Sequence, residues 1–351
     1  MFIDIFYSVL ALLIGIGVFL VGIVKFTNFM KQQKESVRKT FEKVGENRFV
    51  NFSLGAATTT VIQSSTATTV ITVSLVNASI LTLSQAIPVI FGANFGSALS
   101  NLLLSLSAFR IRYYFMLLVF VGAFTKLLTR RPRLNKLSDV FISFGIIFVG
   151  LSLMSGAFSD SDYLREGFEY LFETIQFPLL LILFAFLLTA IIQSSTAATA
   201  IFITMAANGV IGFSSIIYLV IGTSLGTTLT TILASIPANK NAKRTALVHL
   251  MFNVFGAVIF LSIVWPLQST IIPFYERLIP NPVWQISVFT LIFNLFTALI
   301  LLVFIKQINR LVHKIIKDDE NQELTEEEQE QLRADCCGQS DKVTQVLPLD
   351  Y

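Results

Sequence analysis

The stretch Ile62-Gln63-Ser64-Ser65-Thr66-Ala67 decides the fold, because it returns unchanged as Ile192-Gln193-Ser194-Ser195-Thr196-Ala197. Each copy lies inside a long apolar run that carries no charged residue. Two serines, a threonine and a carboxamide are costly in hydrocarbon unless other polar groups pair with them. The doubled motif therefore predicts that the two copies face each other in mid-membrane and hold a small polar solute.

The composition is that of a membrane protein. The 351 residues are 54% hydrophobic and only 13% charged, and the mean hydropathy is +0.74. A soluble domain carries roughly twice that charged fraction. Several runs of about 20 apolar residues follow one another, which predicts an all-α polytopic protein in a lipid bilayer. These runs show no period-2 alternation, so a β-barrel is not expected.

Other function classes find no support in the sequence. The basic residues lie in short loops and form no patch of the kind that binds nucleic acid. There is no nucleophile–base pair, metal cluster or nucleotide loop, so we expect neither an enzyme nor a cofactor other than a co-transported ion. Cys336 and Cys337 are adjacent and are expected to be free thiols in a reducing cytosol. The segment Asp4–Thr27 has no basic start or cleavage site and is not expected to be a secretory signal.

The chain is predicted to be a duplication. One offset of 130 residues relates Gln63 to Gln193 and also Gly92 to Gly222. The predicted parts are a first transmembrane repeat at 1–136 with a broken-helix hairpin at 49–80, and a second, inverted repeat at 137–265 with a hairpin at 175–208. They are followed by an extracellular loop and a final transmembrane helix at 266–305, and by a cytoplasmic tail at 306–351 that is expected to be partly disordered.

Loop charge predicts the topology. The positive-inside rule places the basic segments in the cytoplasm, including a surface helix expected at Lys31–Arg48, and places the acidic loop at 160–173 and the loop Pro266–Val283 outside. This assignment works only if each interrupted run turns back to the side it entered from. The two halves then have opposite orientation, as in secondary transporters with inverted repeats. We expect an inner cell membrane location, an external N-terminus and a cytoplasmic C-terminus.

A helix broken in mid-membrane presents free N–H groups where its second half begins, and these form an anion site. Hydroxyl groups at the same place add donors for a tetrahedral oxyanion, and both phosphate and sulfate fit. The expected phosphate ligands are Ser64, Ser65, Thr66, Ser194, Ser195 and Thr196.

An anion at this depth needs cations, because no Lys or Arg lies between Phe49 and Phe109 or between Thr174 and Asn239. Neutral oxygen ligands suit Na⁺. The expected sodium ligands are Gln63, Gln193, Thr59, Thr68, Asn94, Thr199, Ser224, Thr227 and Thr228. Small residues also serve close packing in membrane helices, and Gly92 with Gly96 and Gly222 with Gly226 match that pattern equally well.

At these residues the sequence resembles the type II sodium–phosphate cotransporter family. The resemblance rests on Gln63–Thr66 and Gln193–Thr196, on the glycine elements Gly92–Ser97 and Gly222–Thr227, and on Ala246–Asn253. It implies symport of inorganic phosphate with Na⁺, an inverted repeat, and phosphate held by the Ser and Thr residues of both motifs.

The sequence departs from the family in two places. Some animal members carry an Asp of an extra Na⁺ site in the helix that reads Tyr113–Ala123 here, and this helix has no acid, which favours electroneutral transport. Bacterial members often carry a long cytoplasmic domain, for which Lys306–Tyr351 is too short. His249 is expected either to make a packing hydrogen bond or to respond to protons near the site, and with Asn253 it is a candidate modulatory residue.

Two alternatives to phosphate symport remain. The first keeps the transporter and changes the cargo to sulfate, arsenate or another small oxyanion, because hydroxyl and N–H donors bind all of them. The second is a phosphate sensor that does not transport and signals through its tail. A homo-oligomer is compatible with either.

Overall fold

A computed structural model of the chain describes residues 2–31, 45, 47–106, 112–129, 131–175 and 177–317. Residues 32–44 and 46 of the surface helix expected at Lys31–Arg48, the tail beyond Lys317 and both cysteines lie outside these residues. The described part contains only helices: α1 (Phe2–Lys31), α2 (Arg48–Ile62), α3 (Ser65–Asn77), α4 (Leu83–Ser105), α5 (Arg112–Leu128), α6 (Pro132–Ser159), α7 (Asp162–Thr174), α8 (Pro178–Ile192), α9 (Ser195–Ala207), α10 (Phe213–Ser235), α11 (Lys240–Val264), α12 (Gln268–Leu278), α13 (Pro282–Val303) and α14 (Ile305–Ile315). The predicted all-α class is confirmed.

Among the residues that the structure describes, six helices are long and apolar enough to cross a membrane: α1, α4, α6, α10, α11 and α13. Three shorter apolar helices accompany them, α5 and the two halves α8 and α9 of the second interrupted run. A helix of about 20 apolar residues matches the hydrocarbon thickness of a bilayer. The protein is therefore a membrane protein with several spanning helices.

Both interrupted runs break at their glutamine and turn back. The Asn51 amide donates to the Gln85 carbonyl, near the starts of α2 and α4, and the Thr60 hydroxyl, near the end of α2, lies 3.3 Å from the Gly96 carbonyl in the middle of α4. These contacts make α2 and α4 parallel. Because only residues 78–82 join α3 to α4, α3 ends on the side where α2 began.

The second run repeats this arrangement. Ile182 lies against Gly222, and Phe186, one turn further along α8, lies against Gly226, one turn further along α10. Helices α8 and α10 are therefore parallel as well, and residues 208–212 join α9 to α10.

Equivalent helices of the two halves run in opposite directions. Gly15 lies against Met154 and Gly22 against Ile147, so α1 and α6 cross antiparallel. The Asn239 amide groups bond to Asn77 at 2.8 and 3.0 Å, which places the end of α10 beside the end of α3. Since α4 begins at that same end, α4 and α10 run in opposite directions.

Three segments contain more helix than the sequence predicted. The acidic loop forms α7, which is capped by the Ser161 hydroxyl and buries Leu164 and Phe172. The loop expected at Pro266–Val283 contains α12, whose Tyr275 ring stacks on Phe213 with centroids 4.1 Å apart. Burial of apolar faces stabilises both helices, and this burial is a tertiary effect that loop charge does not reveal.

The first part of the tail is also helical. Helix α13 ends at Val303 and α14 starts at Ile305, so the chain remains helical beyond the predicted start of the tail at residue 306. Ile308 and Val312 are buried on one face of α14. The boundary predicted between residues 136 and 137 falls inside α6, which begins at Pro132, and the one predicted after residue 265 follows the end of α11 at Val264.

Candidate functional site

The two breaks have the same local geometry. Gln63 and Gln193 both adopt the left-handed conformation, at φ 57°, and each ends a 15-residue helix. Left-handed backbone is costly for a residue with a side chain and is held only where its surroundings fix it. Each glutamine N–H donates to the carbonyl four residues earlier, on Thr59 and on Thr189, at 2.7 Å.

The residue after each glutamine caps the second helix. The Ser64 hydroxyl oxygen accepts from the Ala67 N–H at 3.1 Å, and the Ser194 oxygen accepts from the Ala197 N–H at 3.2 Å. Both serines are N-cap residues of 13-residue helices. The N–H groups before these capped ones, on Ser65 and Thr66 of α3 and on Ser195 and Thr196 of α9, have no carbonyl acceptor within their own helix.

The breaks meet at one polar space. A cavity of about 10 Å³, called here the central cavity, is lined by Ser65, Asn94, Ser97, Asn101, Ser195, Thr199, Val220, Thr223, Ser224, Thr227, Thr290 and Asn294. None of the described residues that line it is charged, and it has room for roughly one water molecule. A tetrahedral oxyanion is larger than that, so the helices are closed around the site in this conformation.

The central cavity collects only part of the predicted set. Ser65, Asn94, Ser195, Thr199, Ser224 and Thr227 line it. Gln63 and Thr196 line a second, mostly apolar cavity of about 20 Å³ beside α1 and α6. Thr66 is part-buried and Gln193 exposed, while Thr59, Thr68, Thr228, His249 and Asn253 are buried outside both cavities. The two glutamines thus have different surroundings, although the six-residue motifs that contain them are identical.

The sequence analysis missed several site residues. Asn101, Thr223, Thr290 and Asn294 line the central cavity and were not predicted. Thr189 was also missed, although it is the repeat equivalent of Thr59. Both of these threonines are almost fully buried, and their hydroxyl oxygens have no hydrogen-bond partner among the described residues. The 130-residue offset, applied to Thr59, could have identified Thr189. It could not have identified Thr290 and Asn294, because they lie on α13, outside the two predicted repeats.

His249 joins the two halves beside the cavity. Its Nδ1 lies 3.0 Å from the Thr231 hydroxyl on α10, and its Nε2 lies 3.3 Å from the Asn94 side-chain oxygen on α4. The Asn253 amide donates to the His249 carbonyl at 3.0 Å, and the Asn253 side-chain oxygen has no partner among the described residues. His249 thus makes the packing hydrogen bonds that the sequence analysis gave as one of its two alternatives.

The paired glycines place the breaks by close packing. A Cβ on Gly92 would lie 1.9 Å from the Phe52 carbonyl oxygen, and one on Gly222 would lie 2.2 Å from that of Ile182. No side chain fits at either position without moving a helix. The glycines therefore serve the packing role, and it is their neighbours Asn94 and Ser224 that reach the cavity.

The sequence matches known proteins over the same helices. The family described as Na⁺/Pi-cotransporter matches residues 10–156 and 164–270. The chain belongs to the Na⁺/Pi-cotransporter family. The two matched segments run from α1 to α12, so this Na⁺/Pi-cotransporter homology includes both breaks. The predicted resemblance is confirmed, and the family consists of transporters, not enzymes.

Relatives of this Na⁺/Pi-cotransporter family member carry different names. The "Uncharacterized protein YqeW" of Bacillus subtilis is 31% identical over 265 residues, which are 76% of this chain and 84% of that protein. The "Putative inorganic phosphate export protein YjbB" of Escherichia coli is 30% identical over 294 residues, 84% of this chain and 53% of that protein.

A human relative matches a shorter segment. The "Sodium-dependent phosphate transport protein 2B" of Homo sapiens is 40% identical over 60 residues, 17% of this chain and 9% of that protein. The chain thus covers only about half the length of YjbB and a small part of the human protein. No solved structure matches the chain.

Proposed function

We propose that the protein is a secondary active symporter that takes up inorganic phosphate together with Na⁺ by alternating access. The observation that carries this proposal is that Ser65 and Ser195, the first helical residues after the two breaks, line one cavity. Two helix N-termini that face one space supply N–H donors and positive dipole ends to an oxyanion. Transporters use discontinuous helices in this way at the bilayer midplane.

The phosphate ligands we propose are Ser64, Ser65, Thr66, Ser194, Ser195 and Thr196. The roles of these residues differ. Ser64 and Ser194 use their oxygens as caps, so they orient the free N–H groups of α3 and α9. Ser65 and Ser195 face the central cavity and are the direct hydroxyl donors. Thr66 and Thr196 would reach phosphate only when the helices move apart.

Na⁺ would balance the charge of the bound phosphate. The lining of the central cavity has no cationic side chain, so a phosphate ion there needs cations to offset its desolvation. Asn94, Thr199, Ser224 and Thr227 offer neutral oxygens in that cavity. The other proposed ligands, Gln63, Gln193, Thr59, Thr68 and Thr228, lie around the breaks and would join as the site opens. His249 and Asn253 would modulate the site through Asn94.

Inverted repeats are supported by the helix directions. The antiparallel crossing of α1 with α6, and the opposite directions of α4 and α10, are what a two-fold axis in the membrane plane would produce. If the two halves then exchanged their conformations, the site would open first to one side of the membrane and then to the other. We propose an inner membrane location with an external N-terminus and a cytoplasmic C-terminus.

Export of phosphate is a second candidate for the direction of transport. The name of YjbB describes phosphate export, and this relative favours efflux as the second candidate. The decisive experiment is radiolabelled phosphate flux in proteoliposomes, measured with inward, outward and absent Na⁺ gradients. We expect an inward Na⁺ gradient to drive accumulation. Flux that ignores Na⁺ would contradict coupling, and competition by sulfate and arsenate would measure the choice of oxyanion.

Transport is proposed to be electroneutral. Helix α5 carries no acidic residue between Tyr113 and Ala123, so a further charged cation site is missing there. Addition of phosphate to proteoliposomes on a solid-supported membrane with Na⁺ present should evoke no net current. A phosphate-dependent current that requires Na⁺ would contradict electroneutrality and leave symport standing.

A further inference from the structure

We infer that α13, which lies outside the two repeats, builds a Na⁺ site with α4 from the side-chain oxygens of Asn101, Thr290 and Asn294, together with Ser97. The inference rests on the proposed function, because it names one place where the coupling cation binds. It assigns a ligand role to a helix that has no counterpart in either repeat.

The three principal residues are deeply buried and share one cavity. Asn101, Thr290 and Asn294 are 3%, 5% and 2% exposed, and all of them line the central cavity. Helices α4 and α13 are held together at this level, since the Ser287 hydroxyl donates to the Asn101 carbonyl at 3.0 Å and also contacts the Ser105 hydroxyl. The oxygens are therefore placed by a packed contact between two helices.

Hydrogen bonding leaves these residues as acceptors. The Thr290 hydroxyl donates to the Ile286 carbonyl at 2.7 Å, and the Asn294 amide donates to the Thr290 carbonyl at 2.9 Å. The Ser97 hydroxyl likewise donates to the Asn94 carbonyl at 2.7 Å. Both hydroxyl hydrogens are thus used within their own helices, as is one hydrogen of the Asn294 amide, and the lone pairs of the hydroxyl oxygens are left for the cavity. Hydroxyl oxygens whose hydrogens are already bonded favour a cation over an anion.

Asn101 supplies the second, independent observation. Its side-chain oxygen is buried and has no hydrogen-bond partner among the described residues. Leaving such an oxygen unpaired costs about 1–3 kcal/mol, which a bound ion would offset. Its repeat equivalent on α10, Thr231, bonds instead to His249 of α11. The two halves thus differ at this position. On α10, Thr231 has a hydrogen-bond partner on α11, whereas on α4 the Asn101 oxygen has none in the described part of the chain and α13 is the neighbouring helix.

The remaining lining divides the cavity into two kinds of surface. The Thr223 and Thr227 hydroxyls also donate to their own helix, at 2.8 and 2.7 Å, whereas Ser65 and Ser195 lie at the helix starts where N–H groups are free. Backbone N–H donors therefore come from the breaks, whereas the hydroxyl groups of the long helices offer acceptor oxygens. The space, about 10 Å³, suits one dehydrated monovalent cation and not a tetrahedral oxyanion.

The test uses the full-length protein and Na⁺ itself. Thermal unfolding of purified Thr290→Val, Thr290→Ser and Thr297→Val is measured without phosphate, in NaCl or in choline chloride at equal ionic strength. Thr297 is the matched control, because it is buried on the same helix, its hydroxyl has no partner in the described part of the chain, and it does not line the cavity. Na⁺ should stabilise the wild type, Thr290→Ser and Thr297→Val, and Thr290→Val should lose most of this shift.

Flux separates this inference from the proposed function. In proteoliposomes, Thr290→Val should raise the half-saturating Na⁺ concentration on the order of tenfold and leave the KM for phosphate at saturating Na⁺ unchanged. Na⁺-coupled flux with a normal Na⁺ response in Thr290→Val and in Asn101→Leu would overturn the α13 site and leave symport intact. Loss of Na⁺ dependence in the wild type would instead overturn the proposed function. If Thr290→Val does not fold, the Na⁺ response of Asn101→Leu decides the inference.

Discussion

Asn94 and His249 form a hydrogen bond between the two halves of the protein, with Nε2 of His249 3.3 Å from the Asn94 side-chain oxygen. The Asn94 amide nitrogen donates to the Ile90 carbonyl at 3.0 Å, so the oxygen is the group that faces the histidine. Nε2 therefore carries the hydrogen in this pair, and Nδ1 lies 3.0 Å from the Thr231 hydroxyl. The histidine fixes Asn94 at the wall of the central cavity.

Replacing His249 by Leu should destabilise the protein and impair transport. The change leaves the Asn94 oxygen buried without a donor and removes the His249 partner of the Thr231 hydroxyl, which costs about 1–3 kcal/mol for each such group. We expect a lower unfolding midpoint and slower phosphate flux at equal protein level. His313→Gln, at the chain's second histidine, should behave as the wild type. An unchanged midpoint in His249→Leu would contradict the bridging role.

Adding a methyl group at Gly92 or Gly222 should prevent correct packing of the broken helices. The new Cβ would lie 1.9 Å from Phe52 O or 2.2 Å from Ile182 O, and overpacking a fixed backbone contact costs about 1–3 kcal/mol or more. Gly92→Ala and Gly222→Ala should each lower the unfolding midpoint in detergent and abolish flux. Gly17→Ala is the matched control, because no atom lies within 4 Å of its Cβ position. Equal stability of all three variants would refute the packing role.

The sequence predicted the breaks well, because the determinant is local and appears twice. Polar residues that interrupt two apolar runs 130 residues apart predicted breaks at Gln63 and Gln193, and both glutamines take the same backbone conformation. Loop charge predicted hairpins that turn back, and the parallel pairs α2 with α4 and α8 with α10 are the arrangement that such hairpins produce. These features depend on local sequence and on hydrophobicity, which a single chain displays.

Which residues line the site depends on tertiary packing, and this was harder to predict from the sequence. Identical motifs led to the expectation of identical roles, yet Gln63 lines a cavity beside α1 and α6, and Gln193 is exposed. Thr290 and Asn294 were missed because polar residues in an apolar helix are as common for packing as for binding. Only the position of α13 against α4 brings them into the cavity.

Removing the hydroxyl of Ser65 or Ser195 should weaken phosphate binding without loss of the fold. Both residues line the central cavity, and a hydrogen bond to a charged ligand contributes about 1.5–3 kcal/mol, so the KM for phosphate should rise by roughly tenfold or more. Flux measured against phosphate concentration at saturating Na⁺ checks Ser65→Ala and Ser195→Ala. Ser74→Ala is the control, since Ser74 lies on α3 away from the cavity and donates only to Val70. A normal KM in both variants at normal protein level would remove the motif from the binding site.

The proposed topology predicts which end of the helix bundle faces the outside of the cell. Glu166 is exposed on α7, and Lys243 is exposed near the start of α11, at the opposite end of the bundle. In a background with Cys336→Ser and Cys337→Ser, a membrane-impermeant maleimide should label Glu166→Cys in intact cells. Lys243→Cys should react only after the cells are permeabilised, because the positive-inside rule retains the basic end in the cytoplasm. The reverse pattern would invert the proposed orientation, and labelling of both in intact cells would contradict the placement of the two ends on opposite sides of the membrane.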